Sequence, residues 1–166
     1  MIRTVLVASC VAVVVGLRSP DPVDDPAAVP AVEKVLDTLH DAASKADGKR
    51  YFSCFAPDAV FFGTDATERW TIDQFRAYAQ VRFDQGTGWT YHPRKRHVFL
   101  SRDRETAWFD EALHNAKYGE CRGTGVLVKR DGGWKIAQYN LTIPIPNEIA
   151  LEVVGRIREV TQPRGE

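Results

Sequence analysis

Cysteine is scarce in this 166-residue chain: Cys10, Cys54 and Cys121, none in a C-x-x-C spacing. That excludes a small disulfide-stapled scaffold and a cysteine zinc ribbon. A charge excess is also missing. Lys plus Arg and Asp plus Glu number 22 each, so the basic surplus of a nucleic-acid binder is absent. The one basic cluster, Arg94-Lys95-Arg96 between His92 and His97, reads as a solvated strand or turn face. There is no Gly-rich phosphate loop, serine nucleophile elbow or zinc-type histidine pair, which sets aside nucleotide, hydrolase and metalloenzyme readings. His92 and His97 lack a neighbouring carboxylate or cysteine, so neither a metal nor a cofactor is expected.

Long apolar runs are missing too. The longest, Val5 to Leu17, has 13 residues and follows Met1-Ile2-Arg3. It is too short to cross a bilayer and suits a secretory h-region. Residues 1–18 therefore read as an export signal or anchor, placing the rest in a periplasmic or extracellular setting. Membrane contact is then expected only through that segment. No Ala-x-Ala precedes Arg18, and Val7-Ala8-Ser9-Cys10 has the outline of a lipoprotein box, so cleaved, retained and lipidated forms stay open. Residues 19–30 hold four prolines and three aspartates and read as an extended linker. Cys54 and Cys121 fall in apolar or strand contexts and are expected as buried free thiols.

What is present is an ordinary globular composition, 44% hydrophobic and 27% charged, sufficient for one domain with its own core. From Pro30, Val32, Val35, Leu36, Leu39, Ala42 and Ala43 recur at helical spacing until Asp47-Gly48. A second short helix is predicted over 49–55 and a buried strand over 58–63. Thr71-Ile72-Asp73-Gln74 matches a capping box opening a third helix. Two strands are predicted across 89–101, then three long ones within 105–146. These break at Asn115-Ala116-Lys117 and at Asp131-Gly132-Gly133, the latter a strong hairpin signal. Asn147 is placed to cap a final helix with Ile149, Val153, Ile157 and Val160 on one face. The fold class is α+β: a large, strongly twisted antiparallel sheet preceded by three helices, plus a C-terminal helix in 147–166.

This order, with Cys54-Phe55-Ala56-Pro57-Asp58-Ala59-Val60-Phe61-Phe62-Gly63-Thr64, Glu68-Arg69-Trp70-Thr71, Thr106-Ala107-Trp108 and Gly123 through Ile136, resembles the nuclear transport factor 2-like superfamily, and within it the SnoaL-like proteins. The resemblance spans the domain expected at 31–146. It implies a cone, a curved antiparallel sheet mixed at its edge and covered by the three N-terminal helices around an apolar pocket, often dimeric through the sheet's outer face, and no single activity. Ketosteroid-isomerase residues do not carry over. Their positions fall near Gly63, Thr124 or Gly125, and Leu39, none of which matches.

On the third-from-last strand Trp108, Asp110, Ala112 and His114 share one face, while Phe109, Glu111 and Leu113 share the other. Both carry apolar residues. The resemblance implies that the Trp108 face looks into the cone, together with Cys121, Gly123, Gly125 and Leu127, and with Tyr139, Leu141 and Ile143. On that basis Asp110, desolvated beside Trp108, is the candidate proton carrier and His114 a second. Tyr51, Phe55, Phe61, Trp70, Trp108, Cys121, Tyr139 and Leu141 are the candidate lining for a small apolar or aromatic ligand. Two functions follow: binding of such a molecule without catalysis, or a cofactor-free cyclase, isomerase or dehydratase using Asp110 as general base.

Overall fold

The computed structural model describes residues 27–161. The export segment and most of the linker lie outside them. The elements in order are α1 (Ala28–Ser44), α2 (Gly48–Ser53), β1 (Phe55–Phe62), β2 (Arg69–Thr71), α3 (Ile72–Asp84), β3 (His92–Leu100), β4 (Thr106–Asn115), β5 (Gly119–Arg130), β6 (Gly133–Thr142), a 3-10 turn (Asn147–Ile149) and α4 (Ala150–Thr161). One curled, open sheet runs β2-β1-β6-β5-β4-β3. Only the β1–β6 pair is parallel.

Local chemistry explains most of this. In α1 the stripe of Val32, Leu36, Leu39 and Ala43 is buried, and each large side chain contributes about 1.5–3 kcal/mol by leaving water. The helix starts at Ala28, two residues before Pro30, which its first turn tolerates. The capping box of α3 is complete: Gln74 N–H donates to Thr71 Oγ1 at 3.3 Å, and Thr71 N–H donates to Gln74 Oε1 at 2.9 Å. At the β5–β6 hairpin Asp131 and Gly132 have φ of 51° and 78°, the two left-handed residues of a tight turn whose twist matches the strands.

Three register shifts curl the sheet, in β1 against β6, in β3 against β4, and in β5 against β6. The last decides what the pocket sees. Trp134 and Ile136 point inward on one phase, and after the shift Tyr139 and Leu141 point inward on the other. Above this face Tyr51, Phe52, Phe55, Phe75, Phe83 and Trp89 form an edge-to-face cluster joining α2 and α3 to the sheet.

Several expectations need correction. Residues 89–101 contain one strand, β3, not two, because its shift between Pro93 and Lys95 absorbs the irregularity without ending pairing. Phe55 opens β1 instead of closing α2. Arg69–Thr71 form a short edge strand, β2, where no strand was predicted. Asn147 does not cap α4; Pro146 leads into a 3-10 turn instead. The apolar residues of α4 are not covered, with Leu151 87% exposed.

Candidate functional site

β4 decides the site, and its inner face is the one the sequence reading placed outside. Ala107, Phe109, Glu111 and Leu113 are buried. Trp108 is 46% exposed and stacks on Phe99 of β3 at 5.8 Å, on the outer surface. Asp110 lies there too, its carboxylate 2.7 Å from His97 Nδ1 and half exposed. His114 shares that face near the strand's end. Asp110 and His114 therefore cannot serve the cone. Arg122 is likewise exposed, since no shift turns it inward.

Glu111 takes their place. It is 1% exposed, the one buried charged residue among those described. Arg96, Glu111 and Gly123 occupy a single rung across β3, β4 and β5. Arg96 Nε donates to Glu111 Oε2 at 2.8 Å, and its Nη1 donates to Asp37 of α1 at 2.8 Å. From α1, His40 Nε2 lies 2.7 Å from Glu111 Oε1. From β6, Tyr139 donates its hydroxyl to the same oxygen at 3.0 Å. Gly123 makes this convergence possible, because a methyl there would meet the Tyr139 hydroxyl and the Glu111 carboxylate.

Electrostatics fix the charge of the carboxyl and of the phenol in this cluster. Burial pushes the Glu111 carboxyl up, but the hydrogen bond from His40 and then the Arg96 guanidinium outweigh it and hold the group below the usual glutamate value. Tyr139 is raised well above an ordinary tyrosine, first by burial and then by the Glu111 charge, so it stays a donor. An ionised carboxylate only accepts, hence His40 Nε2 carries a hydrogen. In the neutral ring Nδ1 keeps its lone pair, and it has no hydrogen-bond partner among the described residues.

His40 and Tyr139 open on an inner chamber of about 20 Å³, bounded also by Leu39, Ala43, Tyr51 and Tyr91, with room for about one water. Phe61, Trp89, Tyr91 and Leu141 are shared with an outer chamber of about 510 Å³. Its walls add Trp70, Phe75 and Tyr78, and its mouth carries Arg82, His92, Lys117 and Glu68. Tyr91 spans both, its hydroxyl unbonded among the described residues and pushed by burial to about 12. The larger chamber thus has aromatic walls and a polar mouth, and His40 of the histidine–carboxylate pair lines a smaller chamber that shares four of its residues.

The family model for the SnoaL-like domain matches residues 32–146. The chain belongs to the SnoaL-like family. No curated protein matches it. Among solved structures, a nuclear transport factor 2-like protein of unknown function from Pseudomonas putida KT2440 is 14% identical, covering 75% of this chain and 92% of its own, with a TM-score of 0.63. A candidate aromatic ring hydroxylase from Novosphingobium aromaticivorans is 15% identical over 74% and 92%, TM-score 0.62. A candidate scytalone dehydratase from the same species is 15% identical over 70% and 84%, TM-score 0.59. At such identities the likeness is one of fold.

In this SnoaL-like chain the expected lining residues separate. Phe61, Trp70 and Leu141 line the outer chamber, and Tyr51, Phe61, Tyr139 and Leu141 the inner one. Phe55 and Cys121 point inward but reach neither chamber, and Trp108 faces away. Ile143 lies past the end of β6 and is exposed. Cys54 and Cys121 are buried free thiols, with Cys54 pushed to about 11 by burial. Among the described residues no group of His, Cys, Asp or Glu could hold a metal, and no helix is long and apolar enough to cross a membrane. His40, Arg96, Glu111 and Tyr91 were missed. The available signal was a lone glutamate between Phe109 and Leu113, on an otherwise apolar strand face.

Proposed function

We propose that the SnoaL-like cone binds a small, flat, largely apolar molecule and moves a proton on it, with His40 as the general base. The observation that supports this is the His40–Glu111 pair beside the pocket, with His40 lining the small chamber and its Nδ1 unbonded among the described residues. Glu111 fixes the tautomer and would stabilise the imidazolium formed when Nδ1 takes a proton. Tyr91, protonated and unbonded, is the available donor to an oxygen that gains charge as the proton leaves. This chemistry suits isomerisation, cyclisation or dehydration beside a carbonyl. It replaces the Asp110 mechanism with one built on the opposite face of β4. The aromatic lining and the fold shared with a candidate scytalone dehydratase support it further.

Binding without catalysis is the second reading, favoured by one observation: the same bonds clamp α1 to β3, β4 and β6, a structural role in itself. Exchange of carbon-bound hydrogen for deuterium, followed by NMR on a panel of cyclic and aromatic ketones, separates the two. The wild type is expected to accelerate exchange in at least one ketone. His40→Gln should lower that rate by about 10²-fold or more while ligand affinity holds, and Tyr91→Phe should lower it less. Equal rates with and without the imidazole would leave binding as the whole function. Export through residues 1–18 belongs to the same proposal. So does pairing of two copies through the outer sheet face, where Phe99 and Trp108 are exposed; light scattering of the purified domain checks the latter.

A further inference from the structure

We infer that the ligand is a planar aromatic acid, its ring stacked on the Trp70 wall of the outer chamber and its carboxylate held at the mouth by Arg82 and Lys117. This rests on the pocket reading above and adds the ligand's chemical class. The first observation is the parallelism of the wall. Trp70 and Phe75 lie 5.5 Å apart with planes 9° from parallel, Phe75 and Phe61 3.8 Å apart at 11°, and Phe61 and Tyr139 5.6 Å apart at 6°. Tyr78 continues the series at 5.0 Å and 26° from Trp70. Around Tyr51, by contrast, the rings meet edge to face, the other favourable arrangement of an aromatic pair. A column with one shared ring orientation, opening on a chamber, accepts one more flat ring in that orientation. It offers nothing comparable to a puckered or branched aliphatic body.

The second observation is the charge at the mouth. Arg82, near the end of α3, and Lys117, in the β4–β5 turn, both line the chamber, and neither has a carboxylate partner among the described residues. Lys117 donates only to the Tyr118 hydroxyl, at 3.2 Å. Glu68 is the single acid at the mouth, and it accepts from Asp65 N–H at 3.1 Å. Two fixed positive charges against one negative leave one to neutralise. A carboxylate does so, whereas a phosphate dianion overshoots. Charge-assisted bonds from arginine and lysine would anchor that end, leaving the far end of the ring toward Tyr91 and His40.

The test is a set of dissociation constants from tryptophan fluorescence and calorimetry for four probes: 2-naphthoate, the neutral 2-naphthalenemethanol, 2-naphthyl phosphate and cyclohexanecarboxylate. The expected order puts 2-naphthoate about tenfold or more tighter than the alcohol and the phosphate, with cyclohexanecarboxylate weakest. The advantage over the alcohol should shrink as salt is raised and vanish in the Arg82→Gln/Lys117→Gln double variant. Both positions are exposed, so the variant should fold, which circular dichroism checks. An alcohol that binds as tightly as the acid, or an advantage that survives the double variant, overturns the inference while leaving the pocket reading intact. Binding by none of the aromatic probes overturns both.

Discussion

Two carboxylate–histidine pairs sit one residue apart on β4, on opposite faces. Inside, Glu111 meets His40 at 2.7 Å; outside, Asp110 meets His97 at the same distance. The groups and the bond length are alike, yet only the inner carboxylate is fully buried, the outer one being half exposed. Water screens the outer pair, which makes it a surface ion pair of small consequence. The inner carboxylate is removed from water and accepts from three donors on three different elements, and its histidine opens on a pocket. The pairs differ through their surroundings alone.

The sharpest way to break this comparison is to delete each carboxylate in turn. Glu111→Ala leaves Arg96 with only Asp37 as charge partner and strips His40 and Tyr139 of their acceptor, and should cost about 3–5 kcal/mol in urea unfolding. Asp110→Ala should cost less than about 1 kcal/mol. Similar losses in the two would show that burial does not separate them. Next in size is the histidine comparison. His40→Gln should abolish most proton exchange, whereas His97→Gln should leave both exchange and ligand affinity at wild-type values. A smaller effect tests the packing of the inner pair: Gly123→Ala forces a methyl against Tyr139 and Glu111 and should destabilise by about 1–3 kcal/mol. A shift in melting temperature too small to measure would mean that the rung has slack.

The acid limb of the stability curve sharpens the contrast further. The folded Glu111 carboxyl is held below its unfolded value, so the unfolded chain binds the proton first as pH falls. Its contribution is complete above about pH 4.3, the ordinary glutamate value, and is lost as pH drops through the lower folded one. Urea midpoints measured below pH 4.3 should therefore fall less steeply in Glu111→Gln than in the wild type. Parallel curves for the two proteins would assign the acid sensitivity to other groups.

Much of the fold was legible because it is written locally. The Thr71–Gln74 box, the Asp131-Gly132 turn and the α1 stripe each act over four to a dozen residues, and backbone sterics or periodicity suffice to read them. The site was not, and β4 shows why. Alternation separates Trp108 from Phe109 without saying which is covered. A tryptophan beside an aspartate looks more like a pocket than a glutamate between two hydrophobic residues does. What buries Glu111 is supplied from far along the chain, by His40 of α1, Arg96 of β3 and Tyr139 of β6, with space left by Gly123 of β5. None of these is marked by a motif.

The amino-acid order by itself determined the elements, most of their boundaries and the family, since helix stripes, caps and tight turns depend on near neighbours and recur in a recognisable sequence. Which face of β4 turns inward was decided only in three dimensions. That choice depends on the register shifts that curl the sheet and on whether distant donors arrive to satisfy a carboxylate withdrawn from water. No property of a single strand carries that information.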